Sequence, residues 1–336
     1  MSGTPAVSGP EPPEVSVVVA AHTLDRWDDI VAGMHALAHQ TVPPLETILV
    51  VDHNDELLAR ARDAFPAVRV TDNPRTGGAS GARNTGIAQA KGAIIAFVDD
   101  DARPEPDWIE QLLSAYDDEH VMAVGGVASP VWPVRRPDHL PPELDWIVGC
   151  TYQGQPTVRS DVRNLWGCNM SVRREAFDLV GTFDEEIGRI GLIPIGCEET
   201  EFCIRLGQQV PGARVVFEPR ALVHHRVTAP RTTWSYLRTR SNAEGVSKAA
   251  IGALVGPEDA TSVETDYVKR VLTRGFAREL GRGLRGQRAG FSGAAGIVVC
   301  LWLTGVGYLR GRLGHRSRVA KVAAHRRARA LDTPPS

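Results

Sequence analysis

Three continuous apolar runs constrain the fold of this 336-residue chain: "VSVVVAA" (15–21), "ETILVVD" (46–52) and "AIIAFVDDD" (93–101). Each is rich in β-branched residues and has no polar alternation, the pattern of a strand covered on both faces. Between them, "RWDDIVAGMHALA" repeats Trp27, Ile30, Val31, Met34 and Leu37 at helical spacing. "ELLARARDAF" and "GARNTGIAQAKG" are also helix-like, and "VRVTDN" is a weaker strand. Strands alternating with helices predict an α/β chain with a doubly wound, mostly parallel sheet. Such sheets bind ligands outside the carboxyl ends of their strands. Asp52 ends one apolar run, and Asp99, Asp100 and Asp101 end another, so the acids gather at that edge.

The length fits about two domains. A formal net charge of -2 gives no general attraction to nucleic acid. The five cysteines, Cys150, Cys168, Cys197, Cys203 and Cys300, form no CxxC pair, which fits reduced thiols in a cytosolic protein without a zinc site. The Pro/Gly-rich leader has no apolar core and is not a signal peptide. Further on, "DWIEQLLSAY" predicts a helix burying Trp108, Leu112, Leu113 and Tyr116, and the proline-rich span 129–146 predicts a long surface loop.

Three motifs carry chemistry. The acid triplet suits a hard divalent cation, Mg²⁺ or Mn²⁺, together with a diphosphate; the alternative is an acidic turn at a helix start. In "GGASGARNTG", Gly77, Gly78 and Gly81 precede a helix whose first turns bring Arg83 and Asn84, a pattern that meets phosphate or ribose oxygens or simply caps a helix. In "GCEETEF", Glu198, Glu199 and Glu201 enter an amphipathic helix, as electrostatic caps or as a source of a general base.

Taken in order, "VSVVVAAHTLDR", "LVVDHND", "GARNTG", "AFVDDDARP", "WGCNMSVRREAFDLVGTFDE", "GCEETEF" and "ALVHH" resemble the family-2 inverting glycosyltransferases of GT-A fold over roughly 15–227. The resemblance implies a GT-A-like sheet, a nucleotide-sugar donor, UDP-linked by expectation, and a divalent metal. Asp52 would read the base edge. Asp99 would contact ribose or metal, with Asp100, Arg83 and His22 also on the donor side. Asp101 would ligate the metal, and His224 or His225 would complete its site. Glu199 stands at the place of the catalytic base, with Glu198 beside it, and the two roles stay interchangeable. Trp166 and Asn169 would meet the acceptor, Trp166 by stacking on a sugar, although a core role for this tryptophan competes. Two departures stand out. The first strand runs into "HTLDR" where the family usually has Pro-Thr-Tyr-Asn, and Cys197 replaces the usual glycine before the glutamates, with Gly196 one position earlier.

The layout that follows is a disordered leader (1–14) and a catalytic domain (15–230), the latter with a nucleotide-sugar half to about 125 and an acceptor half beyond. A helical extension (231–288), an apolar segment (289–309) and a basic tail (310–336) complete it. Arg238, Arg240 and Lys248 in the extension face either a lipid phosphate or solvent. The 21 residues Ala289 to Leu309 carry no charge and are flanked by arginines. The segment spans a bilayer, lies in its interface or is a buried helix; membrane association is the reading taken. The expected enzyme then works on the cytoplasmic face of the plasma membrane, on a glycan or lipid-linked acceptor. Because the site residues precede Val227, a chain ending near Arg288 is expected to keep its fold. The competing readings are a sugar nucleotidyltransferase, disfavoured by the glycine-free turn "AAHTLDRW", and a non-catalytic nucleotide-sugar or membrane-binding module.

Overall fold

The computed structural model describes residues 14–187, 197–255 and 266–331. The leader up to residue 13, Gly196 and the last five residues of the basic tail lie outside these ranges. The chain divides into two units that interleave in sequence, where the sequence reading takes consecutive segments. The first holds the chain up to Val127, Val158–Thr182 and Val210–Val223; the second holds Ala128–Thr157, Phe183–Gln209 and the chain from His224 on.

Among the described residues there is one nine-stranded sheet. Its strands are β1 (Val15–Ala21), β2 (Glu46–Val51), β3 (Arg69–Asp72), β4 (Ile94–Asp99), β5 (Ala102–Pro104), β6 (Val121–Val131), β7 (Ser160–Asp161), β8 (Asn169–Arg173) and β9 (Arg214–Arg226). They lie in the order β3-β2-β1-β4-β8-β6-β9-β5, with β7 on β9. The predicted parallel arrangement holds through β3-β2-β1-β4. Beyond β4 the sheet turns antiparallel, with Met170 of β8 opposite both Phe97 and Gly125. Parallel neighbours need helical crossovers, and the first three helices, α1 (Trp27–Ala38), α2 (Asp55–Ala64) and α3 (Ala79–Gln89), provide them between β1 and β4. Val17, Val18 and Val19 of β1 are all buried, as a strand covered on both faces requires.

Two glycines let α3 sit close. A Cβ at Gly86 would lie 2.3 Å from Val18 Cγ1, and one at Gly81 would lie 1.9 Å from the Thr76 carbonyl oxygen. The next helix, α4 (Trp108–Leu113), is shorter than predicted. Trp108, Ile109 and Leu112 are buried, whereas Leu113 is only half-buried. Tyr116 lies past the helix end, with its hydroxyl 2.9 Å from Ser171 Oγ. A short α5 (Arg174–Val180) follows β8.

The second unit corrects the reading of the proline-rich span. Its first part is the expected exposed loop, with Pro133, Val134, Arg135 and Asp138 all exposed, but Pro142–Val148 form a 3₁₀ turn, and Leu140, Leu144, Ile147 and Val148 are buried. Proline is tolerated where such a turn begins, because the missing N–H would have no partner there. These residues share one core with Cys150, Val227, Leu237, Leu272, Ile297 and Cys300. The helices of this unit are α6 (Glu198–Gln209), α7 (Trp234–Val255), α8 (Thr273–Leu284) and α9 (Ala289–Leu331), with a π-helical turn Tyr267–Leu272 before α8. Apolar segment and basic tail thus belong to a single helix, whose side chains are described to Leu313. Ile297 and Cys300 lie in the core, so a chain cut at Arg288 would lose part of it. This packing counts against the expectation that the protein folds without α9.

Glu218 of β9 is a buried charge of the first unit. It accepts hydrogen bonds from Arg159 Nε at 2.7 Å and Arg220 Nε at 2.8 Å. Burial alone would raise its pKa, but the two arginines together hold it at about 2, below its ordinary 4.5. A depressed carboxylate stabilises the fold fully above its unfolded pKa and loses that contribution as pH falls through its folded one. Glu218→Gln is therefore expected to lower stability at neutral pH by about 2 kcal/mol. In urea denaturation its deficit against wild type should shrink steadily below pH 4.5; a deficit independent of pH would contradict the ion-pair account.

Candidate active site

The acid triplet stands where β4 ends and the chain turns into β5. Asp99 keeps a third of its side chain exposed, whereas Asp100 and Asp101 are buried. Three adjacent carboxylates need positive charge, and the residue that supplies it is Arg26, which the sequence reading did not single out. Its Nη1 bonds Asp100 Oδ1 and lies 3.2 Å from Asp101 Oδ2. Burial drives the Asp100 pKa up to about 7; Arg26 opposes the rise, and the Asp101 charge adds to it. The departure at "HTLDR" explains how Arg26 gets there. Thr23 Oγ1 accepts from the Asp25 N–H at 3.2 Å and caps the 3₁₀ turn Leu24–Arg26, which presents the guanidinium to the acids. The signal available in the sequence was a lone arginine just beyond the first strand, in a chain with three carboxylates to neutralise.

On the other side of the triplet, Arg83 of α3 is buried and donates from Nη2 to Asp99 Oδ1 at 2.9 Å. Gly167 lies against this guanidinium, where a Cβ would come within 2.7 Å of Nη2, so a larger residue there would displace Arg83 from its place. Asp52, at the end of β2, accepts from Asn73 Nδ2 on one oxygen and from the Gly78 N–H on the other, both at 2.7 Å. His53 Nδ1 lies 2.8 Å from the first of these oxygens. Burial alone would raise the Asp52 pKa, but these hydrogen bonds lower it overall. Asp52 thus anchors the glycine-rich loop, and a nucleotide base at this edge would share its oxygens with the protein. His22 is exposed just past β1, its carbonyl accepting from Asn54 Nδ2 at 3.1 Å. The structure therefore gathers Asp52, Arg83 and the triplet around the carboxyl ends of β1, β2 and β4.

The two acceptor residues are joined, the Asn169 N–H donating to the Trp166 carbonyl at 2.9 Å, but their side chains differ in exposure. Trp166 is half-buried. Asn169 has no exposed surface: its Oδ1 accepts from Trp108 Nε1 at 2.8 Å, and its Nδ2 donates to the carbonyls of Val127 at 2.9 Å and Ala221 at 2.8 Å. It ties β8 to β6 and β9, and an acceptor contact would break those bonds. Its role is structural.

In the second unit the glutamates have three different environments. Glu201 makes a two-pronged ion pair with Arg205 one turn on, at 2.9 and 3.0 Å. Glu198 is buried and turns back to accept from the Cys197 N–H at 3.2 Å. Glu199 is half-buried. Cys197, where the family usually has glycine, adopts φ 110°, a conformation that glycine takes without strain and cysteine does not. Its side chain packs against Ile204 and Ile251, which helps to hold the strained turn. His225 is buried with Nδ1 3.7 Å from Cys150 Sγ, and a Cβ at Gly149, which has φ 84°, would lie 3.5 Å from its ring. His224 is half-buried. Arg240 and Lys248 both pair with Glu244 along α7, at 3.0 and 3.3 Å.

Comparison with known proteins agrees with this geometry. The sequence profile of Glycosyl transferase family 2 matches residues 16–181. A curated relative, the glucosyl-dolichyl phosphate glucuronosyltransferase of Haloferax volcanii, is 36% identical over 77% of this chain and 83% of its own. Among solved structures, the mannosyltransferase PcManGT of Pyrobaculum calidifontis, in complex with GDP-Man and Mn²⁺, aligns with 91% of this chain and 90% of its own at TM-score 0.53 and 17% identity. GalNAc-T7, solved with UDP, GalNAc and Mn²⁺, aligns with 75% of this chain and 52% of its own at TM-score 0.51 and 18% identity. The fold is that of the GT-A glycosyltransferases, and the chain belongs to glycosyltransferase family 2.

Proposed function

We propose that this glycosyltransferase is metal-dependent and inverting, and that it moves a hexosyl or glucuronosyl group from a nucleoside diphosphate, UDP by preference, to a hydroxyl of a lipid-linked or glycan acceptor. The observation that carries the reading is the buried carboxylate cluster at the strand ends, flanked by Arg83 and by the loop that Asp52 anchors. Family membership removes the nucleotidyltransferase alternative. The name of the Haloferax relative pairs glucuronosyl transfer with a lipid phosphate acceptor, and that supports an acceptor of the same class, met at the cytoplasmic face of the plasma membrane.

The cluster fits a hard divalent cation. Its donors are carboxylate oxygens, and Asp100 Oδ2 is buried without a hydrogen-bond partner. Arg26 pairs with Asp100 and Asp101, and Arg83 with Asp99; a dication would add further positive charge to the same carboxylates. Asp101 and Asp99 would hold it; His224 or His225 joins them on the family resemblance alone. When bound, such an ion stabilises the negative charge that develops on the departing diphosphate.

The remaining steps belong to the chain's own groups. Asp52 orients the base, and Arg83 fixes the Asp99 carboxylate. Trp166 offers a ring for a sugar face. Glu199 takes the proton from the acceptor hydroxyl as that oxygen attacks the anomeric carbon. One displacement without a covalent sugar–enzyme intermediate inverts the configuration. Glu199 is taken as the base because it stands at the family's base position on the resemblance, with Glu198 beside it as the alternative.

Screening nucleotide-sugars for Mn²⁺-dependent thermal stabilisation tests the donor reading directly. Asp101→Asn should abolish both that stabilisation and transfer; retained metal dependence at wild-type rate would remove Asp101 from the site. Arg26→Gln should lower metal-free stability by about 3 kcal/mol, the scale for leaving a buried charge unpaired. The same variant should bind Mn²⁺ several-fold more tightly in an EPR titration, because the competing cation is gone. Glu199→Gln should cut turnover roughly a hundredfold with donor binding intact, while Glu198→Gln should change turnover far less. The opposite ranking would exchange the two roles.

A further inference from the structure

Helix α9 is long and apolar enough between Ala289 and Leu313 to cross a membrane by composition, but its packing argues against crossing. One face is seated on its neighbours along the whole apolar stretch, through four of its glycines and one just beyond. A Cβ at Gly290 would lie 2.4 Å from the Glu279 carbonyl oxygen, one at Gly293 2.9 Å from Glu279 Oε2, and one at Gly296 2.1 Å from the His139 carbonyl oxygen. Further along, a Cβ at Gly307 would meet the Asn242 carbonyl oxygen at 2.1 Å, and one at Gly311 would meet Ala249 Cβ at 2.6 Å. The helices beneath are not suited to hydrocarbon. On α8, buried Glu279 pairs with Arg278 and Arg282; on α7, Glu244 pairs with Arg240 and Lys248. Drawing α9 into a bilayer as a span would either carry these ions into lipid or strip α9 from its core.

The opposite face is open. Phe291, Val298, Trp302, Leu309 and Leu313 are exposed, Trp302 by 67% and Leu313 by 78%. They follow one another at intervals of 7, 4, 7 and 4 residues, which keeps them in one stripe. At 1.5 Å per residue the stripe is about 33 Å long. Arg285 and Arg288 are exposed before it, Arg310 and Arg312 are exposed beside its last turn, and no acidic residue occurs in the sequence between Glu279 and Asp332. An apolar stripe with cations near both ends and no acid in its own stretch of sequence complements a surface whose interior is apolar and whose headgroups are anionic.

We infer that the outer stripe of α9 docks the enzyme in the plane of an anionic lipid bilayer, with Phe291, Val298, Trp302, Leu309 and Leu313 in the acyl boundary and the flanking arginines at the lipid phosphates. The inference rests on the proposed lipid-linked acceptor for its purpose, and on the geometry of α9 for its substance.

The test uses the full chain in flotation with phosphatidylcholine vesicles, with and without phosphatidylglycerol. Wild type should float with the phosphatidylglycerol vesicles and lose most of that binding in high salt. Trp302→Glu with Leu309→Glu, both on the exposed face, should cut partitioning at least tenfold without shifting the thermal melt. Undiminished flotation of the double variant would overturn the inference, as would failure of wild type to bind either vesicle. Membrane-bound protein that resists alkaline extraction would show a spanning helix, which is equally fatal. A wild-type dimer that the double variant dissolves, without vesicle binding, would assign the stripe to a second copy instead. Thermal stabilisation by UDP with Mn²⁺, measured on the same samples, keeps the two readings apart. Flotation without that stabilisation would support the docking face and count against the proposed donor.

Discussion

A strand buried on both faces cannot end in three carboxylates unless cations meet them, and much of the first unit is arranged around that requirement. Arg26 reaches Asp100 and Asp101 from a capped turn, and Arg83 reaches Asp99 from α3. Each arginine depends on further local chemistry: the Thr23 cap for one, the missing side chain of Gly167 for the other. Asp52 holds the loop that leads into α3, and Gly81 and Gly86 let that helix approach β1 and the loop closely enough for Arg83 to arrive. The cost of burying like charges is thereby spread over hydrogen bonds and close packing.

The sequence was legible where one physical signal dominates. Uninterrupted β-branched runs become strands β1, β2 and β4, and the acids fall at their carboxyl ends. The antiparallel half was not legible, because strand direction is set by the connections and not by the composition of a strand such as β8. The proline-rich span misled for a different reason. Proline marks turns reliably, but it does not say whether the leucines between the prolines face water or a core, and Leu140 and Leu144 face the core.

The candidate site shows the same division. Residue types and spacing pointed to Asp99, Asp100, Asp101 and Arg83, since acids at a strand end and an arginine early in a helix are local features. Asn169 was misjudged because an asparagine in a conspicuous motif looks the same whether it meets a ligand or ties three strands together. Arg26 was missed because its partners lie 74 and 75 residues away in sequence. Cys197 is the middle case. Its departure from glycine was visible in the sequence, while its positive φ and its packing on Ile204 and Ile251 belong to the folded chain.

The place of Ile297 and Cys300 in one core with Leu144, Ile147 and Leu237 bears on how such an enzyme is handled in a cell. Many peripheral enzymes carry their anchor as a detachable appendage, so that a protease or an alternative start can release a working soluble form. Here the surface that would touch lipid and the residues that hold the second unit together are two sides of one helix. Clipping before α9 would remove part of that core together with the stripe, so a cut that freed the enzyme from lipid would also cost it stability.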